Sequence, residues 1–356
     1  MLGTNIGIDL GTTSIVIYIE GKGIVLSEPS VAAYDTNSGH LIAVGKKAYE
    51  MIGRTPDNIR IVKPMRHGVV SDFTATKHIL RFFLSKICKN MIFKPNVVVC
   101  VPSMVTNLEK RTILDLITAA GAAKACLIEE PLAAALGAGL KSDRPKGAMV
   151  VDIGGGFQLI SMRQSPDVAV ITMGCISVSD SVKVAGNAFD EAIMRQIRRE
   201  RDVIIGERTA EFIKKQIGCS YLRSAELGLT VKGKHFITSM PVSIDVSSTE
   251  VYLAMRPQLE SISETVRSVL ELTPPELSAD IADSGIYLTG GGALLHGIDK
   301  MLREKTGVKT FVSKDPLNCV ALGTGEALSH IDILSQNGYV FKARDEIGGL
   351  EAMQTE

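Results

Sequence analysis

The architecture of this chain depends on Ala148-Met-Val-Val-Asp-Ile-Gly-Gly-Gly156, a short apolar run that ends in an acid and breaks at once into three glycines. A β-branched run of this length predicts a buried strand over residues 149–153. Consecutive glycines let the backbone turn sharply and bring its N–H groups close to an anion, which larger side chains would obstruct. Asp152 stands beside the turn, where a carboxylate can hold a metal-bound water. The stretch therefore predicts a site for a metal-chelated polyphosphate.

The same order of residues occurs near the N-terminus, in Ile6-Gly-Ile-Asp-Leu-Gly-Thr-Thr-Ser14. An apolar strand again leads to an acid, one apolar residue and a glycine. Further apolar stretches follow the two copies, at residues 15–19 and 159–162. Each copy therefore predicts a β-hairpin with an acid and a glycine at its tip. A single glycine-rich turn is usually no more than a tight turn, so the repetition carries the prediction.

A third glycine cluster, Thr289-Gly-Gly-Gly292, follows a predicted strand at residues 286–288 and precedes a predicted helix at residues 293–305. Two hairpin tips with a glycine-rich strand-to-helix turn beside them indicate an α/β fold of duplicated domains. The expected ligand site is a nucleotide cleft between these domains.

Composition narrows the class of protein. The 356 residues carry 39 basic and 39 acidic side chains, so bulk charge does not indicate a nucleic-acid partner. The six cysteines are scattered without a CxxC pair, which predicts buried free thiols in a reducing cytoplasm. No apolar run reaches the length of a membrane span. The histidines are also scattered, so a metal held by protein ligands alone is not expected.

The domain prediction places residues 1–145 with 312–340 in domain I and residues 146–311 in domain II. Small insertions are expected at about 34–65 and about 187–252, and residues 341–356 form a polar tail that we expect to be loosely held. Apolar spacing predicts helices at about 76–89, 107–120 and 255–272. Another helix is predicted to begin at Asn187, whose side chain suits an N-cap.

Three large apolar residues, Met91, Ile92 and Phe93, interrupt a loop bounded by Asn90 and Lys94. Two interpretations are open. The loop folds back onto the core, or it forms an exposed apolar tip for a membrane surface or a partner.

Several strings resemble the actin, Hsp70 and sugar-kinase superfamily, and within it the bacterial actins of the MreB/Mbl family. The resemblance covers nearly the whole chain. It is carried by Gly7-Ile-Asp-Leu-Gly-Thr12, Gly21-Lys-Gly-Ile-Val-Leu-Ser-Glu-Pro-Ser-Val31, Met51-Ile-Gly-Arg-Thr-Pro56, Leu127-Ile-Glu-Glu-Pro-Leu-Ala-Ala134, Val150-Val-Asp-Ile-Gly-Gly-Gly156, Ile205-Gly-Glu-Arg-Thr-Ala-Glu211, Thr273-Pro-Pro-Glu-Leu277 and Tyr287-Leu-Thr-Gly-Gly-Gly-Ala-Leu-Leu295.

The resemblance implies a four-subdomain actin fold, with duplicated ribonuclease-H-like domains, that binds ATP or ADP with Mg²⁺. It also implies homopolymer filaments at the inner face of the cytoplasmic membrane, which guide cell-wall synthesis and rod shape. The partners implied in this way are the membrane and the wall-elongation proteins MreC, MreD and RodZ, with no nucleic acid.

Site residues are carried over position by position. The phosphates would be held by Gly11, Thr12, Thr13, Ser14, Gly154, Gly155 and Gly156, and the magnesium by Asp9 and Asp152 through water. Ribose and adenine would be enclosed by Gly186, Gly206, Glu207, Arg208, Thr209, Glu211, Lys214, Gly290, Gly291, Gly292, Ala293 and Leu294. Glu130 matches the residue that orients the attacking water. Its alternative interpretation is a carboxylate that caps the helix beginning at Pro131.

The chain departs from the family pattern after the central glycines, where Phe157-Gln-Leu159 replaces the usual Thr-Thr-Glu. Phenylalanine lacks the hydroxyl that helps place the water, and positioning carries most of phosphoryl transfer. Hence we expect ATP binding with slow or no hydrolysis, unless Gln158 holds the water instead. A second departure is Asn187, where the family commonly has Asp.

Family members reach the membrane by an apolar loop or by an N-terminal amphipathic helix. Only Met1 to Thr4 precede the first predicted strand, so Met91, Ile92 and Phe93 are the anchor candidates. Two other classes of protein in the superfamily are alternatives. A small-molecule kinase of the same superfamily would need its own catalytic acid and longer domains, and a chaperone-like ATPase would need a further substrate-binding domain.

Overall fold

The computed structural model describes residues 5–66, 69–89, 93–103, 105–140, 146–154, 167–181, 186–330, 334–335, 338–339 and 341–343. The chain divides into two compact units. Unit 1 comprises Met1–Pro145, Met173–Cys175 and Asn318–Glu356, and unit 2 comprises Lys146–Thr172 and Ile176–Leu317.

The secondary structure alternates strands and helices. The strands are β1 (Asn5–Leu10), β2 (Ser14–Ile19), β3 (Gly23–Pro29), β4 (Ala32–Asp35), β5 (Leu41–Val44), β6 (Ile59–Val62), β7 (Met65–Arg66), β8 (Val69–Val70), β9 (Asn96–Val101), β10 (Lys124–Glu129), β11 (Ala148–Asp152), β12 (Asp167–Thr172), β13 (Cys175–Ser181), β14 (Val203–Ile204), β15 (Gly228–His235), β16 (Pro241–Ser247), β17 (Ile286–Thr289) and β18 (Thr310–Val312). The helices are α1 (Lys46–Glu50), α2 (Phe73–Ile87), α3 (Asn107–Ala120), α4 (Glu130–Gly137), α5 (Gly186–Arg201), α6 (Glu207–Ile217), α7 (Ser248–Leu272), α8 (Pro275–Ser284), α9 (Ile298–Thr306) and α10 (Cys319–Ser329), with a 3₁₀ turn at Gly291–Leu294.

Each unit is built on a five-stranded sheet with the same connectivity. The order is β3-β2-β1-β9-β10 in unit 1 and β13-β12-β11-β17-β18 in unit 2. In both sheets the acid-bearing strand, β1 or β11, pairs antiparallel with the next strand and parallel with a later one. The predicted duplication of an α/β domain is therefore confirmed. The other predicted hairpin strand, at residues 159–162, lies outside the described residues, and the described antiparallel partner of β11 is β12.

Glycine allows two helices of unit 1 to approach until their backbones touch. A Cβ on Gly137 of α4 would collide with the carbonyl oxygen of Cys319. A Cβ on Gly323 of α10 would likewise collide with the carbonyl oxygen of Ala133. The C-terminal half of α4 is thereby fixed against α10, which matters because Glu130 begins α4.

Each unit also contains a smaller, three-stranded sheet. Strands β4, β5 and β6 form one sheet with β4 in the middle, within residues 32–62 of unit 1. Strands β14, β15 and β16 form another within residues 203–247 of unit 2. Each small sheet belongs to a unit whose main hydrophobic core includes residues of the five-stranded sheet.

Several helix boundaries differ from their predictions. The helix predicted at 107–120 has those bounds, but α7 begins at Ser248 rather than at about 255, because Ser247 and Glu250 form a capping box. Asn187 is wrong as an N-cap, since α5 begins at Gly186. The helix predicted at 293–305 is interrupted, because Leu295 is extended and Gly297 is left-handed before α9 begins.

Two further expectations are corrected. Lys342 is not loosely held: its N–H donates to the carbonyl oxygen of Ala125 at 2.8 Å, and the Ala125 N–H donates to its carbonyl oxygen at 3.0 Å. The cysteines are not all buried, since Cys175 is exposed and Cys88 is partly exposed. Cys100, Cys126, Cys219 and Cys319 are buried free thiols as predicted.

Candidate functional site

The β1–β2 hairpin of unit 1 carries the first acid-and-glycine motif. Asp9 is the next-to-last residue of β1, and a three-residue turn begins at Gly11. A Cβ at Gly11 would lie 2.9 Å from the carbonyl oxygen of Ser14, too close for any other residue type. Thr13 is exposed, and Thr12 and Ser14 are partly exposed. The turn therefore leaves the predicted phosphate-binding residues accessible at the end of the sheet.

Asp9 lies beside a buried thiol that the sequence alone did not single out. The Sγ of Cys100, near the end of β9, donates to Oδ1 of Asp9 at 3.3 Å. Burial raises the pKa of the Cys100 thiol well above its usual value, and the nearby carboxylates of Asp9 and Glu130 raise it further. The thiol therefore stays protonated and acts as a donor. Strand β1, strand β9 and the start of α4 thus bring two acids to one place in unit 1.

Glu130 is the first residue of α4 and is partly exposed. The alternative in which it caps a helix beginning at Pro131 is wrong, because the N-cap position belongs to Glu129, which makes no side-chain capping bond. The Glu129 carboxylate instead accepts from Lys110 Nζ at 3.1 Å and from the Tyr339 hydroxyl at 2.7 Å.

In unit 2 the second motif ends β11 with a buried acid. Asp152 is 8% exposed, and among the described residues nothing donates a hydrogen bond to its fully buried Oδ1. Burial raises its pKa to about 6, and the neighbouring Thr289 hydroxyl has a smaller, lowering effect. A buried carboxylate oxygen without a donor is costly unless a ligand supplies one. This orphaned oxygen fits a magnesium-bound water, which is a strong donor.

The third glycine cluster lies directly against the end of β11. The Gly292 N–H donates to the carbonyl oxygen of Ile153 at 2.8 Å, and the Ile153 N–H donates to that of Thr289 at 2.9 Å. Gly290 has φ +78°, and a Cβ there would collide with the Asp152 carboxylate. A Cβ on Gly292 would collide with the Ile153 side chain. These glycines are required because the turn touches the acid-bearing strand.

A buried ion pair joins α5 to α6. Lys214 Nζ lies 2.9 Å from the carboxylate of Asp190, and the two side chains are 17% and 9% exposed. Burial raises the pKa of Asp190 to about 6, although Lys214 acts in the opposite direction. Lys214, one of the predicted nucleotide residues, is thus held by an acid that the sequence analysis did not include in the site. A signal was available, since Asp190 lies three residues before Ile193 and seven before Ile197 on the buried side of the helix.

The remaining predicted residues are placed as follows. Gly206 is the N-cap position of α6; Glu207 and Arg208 are exposed in its first turn, and Thr209 is partly exposed. Glu211 pairs with Lys215 at 2.6 Å. Ala293 is buried, while Leu294 is 57% exposed. Gly186 begins α5. Gly154 follows β11, and Gly155, Gly156, Phe157 and Gln158 lie outside the described residues.

The apolar loop is described only in part. Phe93 is 58% exposed, and Met91 and Ile92 lie outside the described residues. Among the helices that are described, none has both the length and the apolar character needed to span a bilayer.

Comparison with known proteins assigns the family. Residues 3–336 match the family model described as MreB/Mbl protein. The cell shape-determining protein Mbl of Bacillus cereus is 44% identical over 335 residues, which cover 94% of this chain and 98% of that protein. The cell shape-determining protein MreB of Escherichia coli is 42% identical over 339 residues, covering 94% and 95% of the two chains.

Solved structures agree with these relatives. MreB5 of Spiroplasma citri bound to ADP superposes with a TM-score of 0.87 at 37% identity, over 94% of this chain and 99% of that chain. The same protein bound to AMPPNP gives the same score over 95% and 99%. A MamK double helical filament, at 20% identity and a TM-score of 0.75 over 92% and 98%, shares the fold. The actin-like fold predicted for this chain is confirmed, and the chain belongs to the MreB/Mbl family.

Proposed function

We propose that this chain is an ATP-binding bacterial actin homologue that polymerises into membrane-associated filaments, which guide cell-wall synthesis and cell shape. The observation that carries the nucleotide role is the orphaned buried Oδ1 of Asp152 beside the glycine turn at 290–292. The structures of MreB5, which is 37% identical to this chain, bound to ADP and to AMPPNP support the nucleotide role. The kinase alternative is not favoured, because relatives that match nearly the whole chain are cell shape-determining proteins.

In this proposal each unit contributes one acid to magnesium through water, Asp9 from unit 1 and Asp152 from unit 2. With a pKa of about 6, Asp152 is mostly ionised at neutral pH and can accept from that water. The bound Mg²⁺ supplies charge neutralisation for the phosphates. The turn that begins at Gly11 and the residues after Asp152 contact the phosphates, and Lys214, held by Asp190, contributes to the sugar and base.

Calorimetry with Mg²⁺–ATP and electron microscopy of the same sample test the proposal. Measurable heat of binding together with filaments is the expected result. The matched variant Asp152→Ala should lose most of the magnesium-dependent affinity. Absence of ATP binding by the wild-type protein would contradict the nucleotide role, and discrete particles would contradict the filament role.

Hydrolysis is proposed to be slow. Glu130 orients the attacking water, but Phe157 replaces the usual water-positioning threonine. Phosphate release should therefore rise in Phe157→Thr and fall to a slow residual rate in Glu130→Ala. Robust wild-type turnover would refute slow hydrolysis, and its loss in Gln158→Ala would assign the water to Gln158.

Membrane attachment is proposed to occur through Met91, Ile92 and Phe93. One loop of this size holds weakly, and a filament multiplies the hold by avidity. The exposure of Phe93 supports the apolar-tip interpretation. In liposome pelleting, the variant with serine at all three positions should stay in the supernatant, and unchanged pelleting would exclude the loop. MreC, MreD and RodZ are the partners proposed from the family resemblance.

A further inference from the structure

The C-terminal segment of the described chain docks on the edge of the unit 1 sheet. Strand β10 is the last strand of that sheet, and its residue Ala125 is fully buried. Two backbone hydrogen bonds, of 2.8 and 3.0 Å, join Ala125 to Lys342. An unpaired sheet edge is often covered in this way, which satisfies its N–H and C=O groups. Residues 338–339 and 341–343, here called the C-terminal strap, therefore have a defined position against β10.

The strap reaches the far end of β10 through one side chain. The Tyr339 hydroxyl donates to Oε2 of Glu129 at 2.7 Å. Lys110 of α3 donates to the other oxygen, Oε1, at 3.1 Å. Burial raises the pKa of the Tyr339 phenol above its usual value, and the Glu129 carboxylate raises it further. The phenol therefore remains a donor at every pH at which the protein would be studied.

Glu129 occupies a position whose side chain usually has another task. It is the N-cap residue of α4, where a side-chain oxygen commonly accepts from the first helical N–H groups. Here the side chain makes no capping bond, and its two oxygens accept from Lys110 and Tyr339 instead. The side chain of Glu129 is thus held by residues of α3 and of the C-terminal strap.

Glu130 follows immediately as the first residue of α4. The other end of this helix is already fixed by its backbone contact with α10 at Gly137 and Gly323. The direction of the Glu130 side chain therefore depends on the torsion angles at the junction with Glu129. We propose that Tyr339 and Lys110 are positioning residues, which orient Glu130 toward the attacking water by holding the carboxylate of Glu129. The inference rests on the catalytic role of Glu130 in the proposed function.

Loss of one hydrogen bond to a charged group, or a small misplacement of a water-orienting side chain, lowers a rate by roughly tenfold or more. Single-turnover phosphate release should therefore fall about 5- to 20-fold in Tyr339→Phe and in Lys110→Met. The Kd for Mg²⁺–ATP, measured by calorimetry on the same samples, should change less than about twofold, because neither side chain is placed at the phosphates.

Backbone docking of the strap gives a second test. Lys342→Pro removes the N–H that donates to Ala125, so it should lower phosphate release as Tyr339→Phe does. Lys342→Ala keeps both backbone bonds and should behave as wild type. Tyr221→Phe is a further control, because it removes a comparable tyrosine–carboxylate bond, from Tyr221 to Glu304 at 3.2 Å, within unit 2.

All variants are compared in the wild-type and the Phe157→Thr backgrounds, and each is repeated with Glu130→Ala. A positioning role predicts that Tyr339→Phe has no further effect once Glu130 is removed. A purely structural role predicts a lower melting temperature, a weaker Kd and an effect that persists in Glu130→Ala.

Unchanged release in Tyr339→Phe and Lys110→Met would overturn the inference, as would equal effects with and without Glu130. The inference would also be overturned if the wild type and Phe157→Thr each released phosphate no faster than the same protein carrying Glu130→Ala. Glu130 would then have no water to orient. Calorimetry separates this result from failure of the proposed function, which would show as absent ATP binding.

Discussion

The two acid-bearing strands, β1 and β11, have the same pattern of antiparallel and parallel neighbours but different chemical surroundings. Asp9 is partly exposed and accepts from the Cys100 thiol at 3.3 Å. Asp152 is buried, and its Oδ1 has no donor among the described residues. The neighbouring parallel strand makes the difference. Continuing the β1–β9 register places Cys100 beside Asp9, whereas Thr289 of β17 lies beside Asp152 and is followed by glycines. One local motif thus yields a carboxylate with a thiol donor in unit 1 and, within the described part of the chain, a carboxylate with one buried oxygen that lacks a donor in unit 2.

Among the substitutions that test this difference between the two acids, one at Gly290 should have the largest effect. Gly290→Ala forces a side chain into a left-handed conformation and into the Asp152 carboxylate. We expect unit 2 to lose roughly 3 to 5 kcal/mol of unfolding free energy in urea. The control Gly307→Ala has φ +74° but open space around its Cβ, and should lose about 1 kcal/mol. Equal losses would mean that close approach to Asp152 is not what requires glycine.

The buried state of Asp152 predicts a pH dependence. A pKa raised from 3.8 to about 6 means that the folded protein binds this proton more tightly than the unfolded chain does. The resulting stability is present below pH 4 and is lost as the pH rises through about 6, which amounts to about 3 kcal/mol. Without nucleotide, the wild type should therefore lose about 3 kcal/mol more than Asp152→Asn between pH 4 and pH 7.

Urea unfolding at both pH values measures this difference. Asp190, whose raised pKa of about 6 acts in the same pH range, is present in both proteins and cancels. Parallel pH profiles would show that Asp152 is not the source of the effect.

A smaller effect on stability is expected at Thr289, which lies beside Asp152 on the neighbouring strand. Its hydroxyl oxygen is buried without a well-formed hydrogen bond among the described residues, but the hydroxyl lies beside the Asp152 carboxylate and lowers its pKa, so Thr289→Val should change stability by less than about 1 kcal/mol. Thr324→Val is the matched control, because its buried hydroxyl donates to the carbonyl oxygen of Ala321 at 2.7 Å. That variant should lose about 1 kcal/mol in thermal unfolding. A loss in Thr289→Val as large as that in Thr324→Val would contradict the assignment of a hydroxyl without a well-formed hydrogen bond.

The smallest effect is expected at Cys100. Cys100→Ala removes the donor to Asp9, so the affinity for Mg²⁺–ATP, measured by calorimetry, should fall about 2- to 5-fold. A loss of this size matches the free energy that one weak hydrogen bond contributes. Cys126→Ala is the control, since this buried thiol of β10 bonds to the carbonyl oxygen of Leu127 instead. Equal affinities of both variants for Mg²⁺–ATP would show that the Cys100 thiol does not contribute to binding.

Local patterns predicted the elements that local physics controls. The helix at 107–120 was predicted at its observed bounds because apolar spacing and the stop at Gly121 lie within it. The start of α7 was missed by seven residues, although the capping box at Ser247 and Glu250 can be recognised in the sequence. The break before α9 depends on the left-handed Gly297, whose conformation the sequence leaves open.

The candidate site was predicted where one motif contains all of its parts. Asp9, Gly11 and Asp152 lie at or directly after the ends of β1 and β11, because an apolar strand followed by an acid and a glycine already defines where the strand stops. The Lys214–Asp190 pair spans 24 residues and the Tyr339–Glu129 bond spans 210. No periodicity connects residues so far apart, so neither contact could be predicted.

The sequence by itself determined the duplicated α/β plan, the two acid-bearing strands and the family, because strand length, turn chemistry and motif order are local properties of the chain. Only the tertiary structure decided that Asp9 receives a thiol hydrogen bond, while the buried Oδ1 of Asp152 has no donor among the residues that the structure describes. It alone decided that Tyr339 returns to hold Glu129. The physical reason is that burial and hydrogen-bond partners are set by which strands and segments become neighbours.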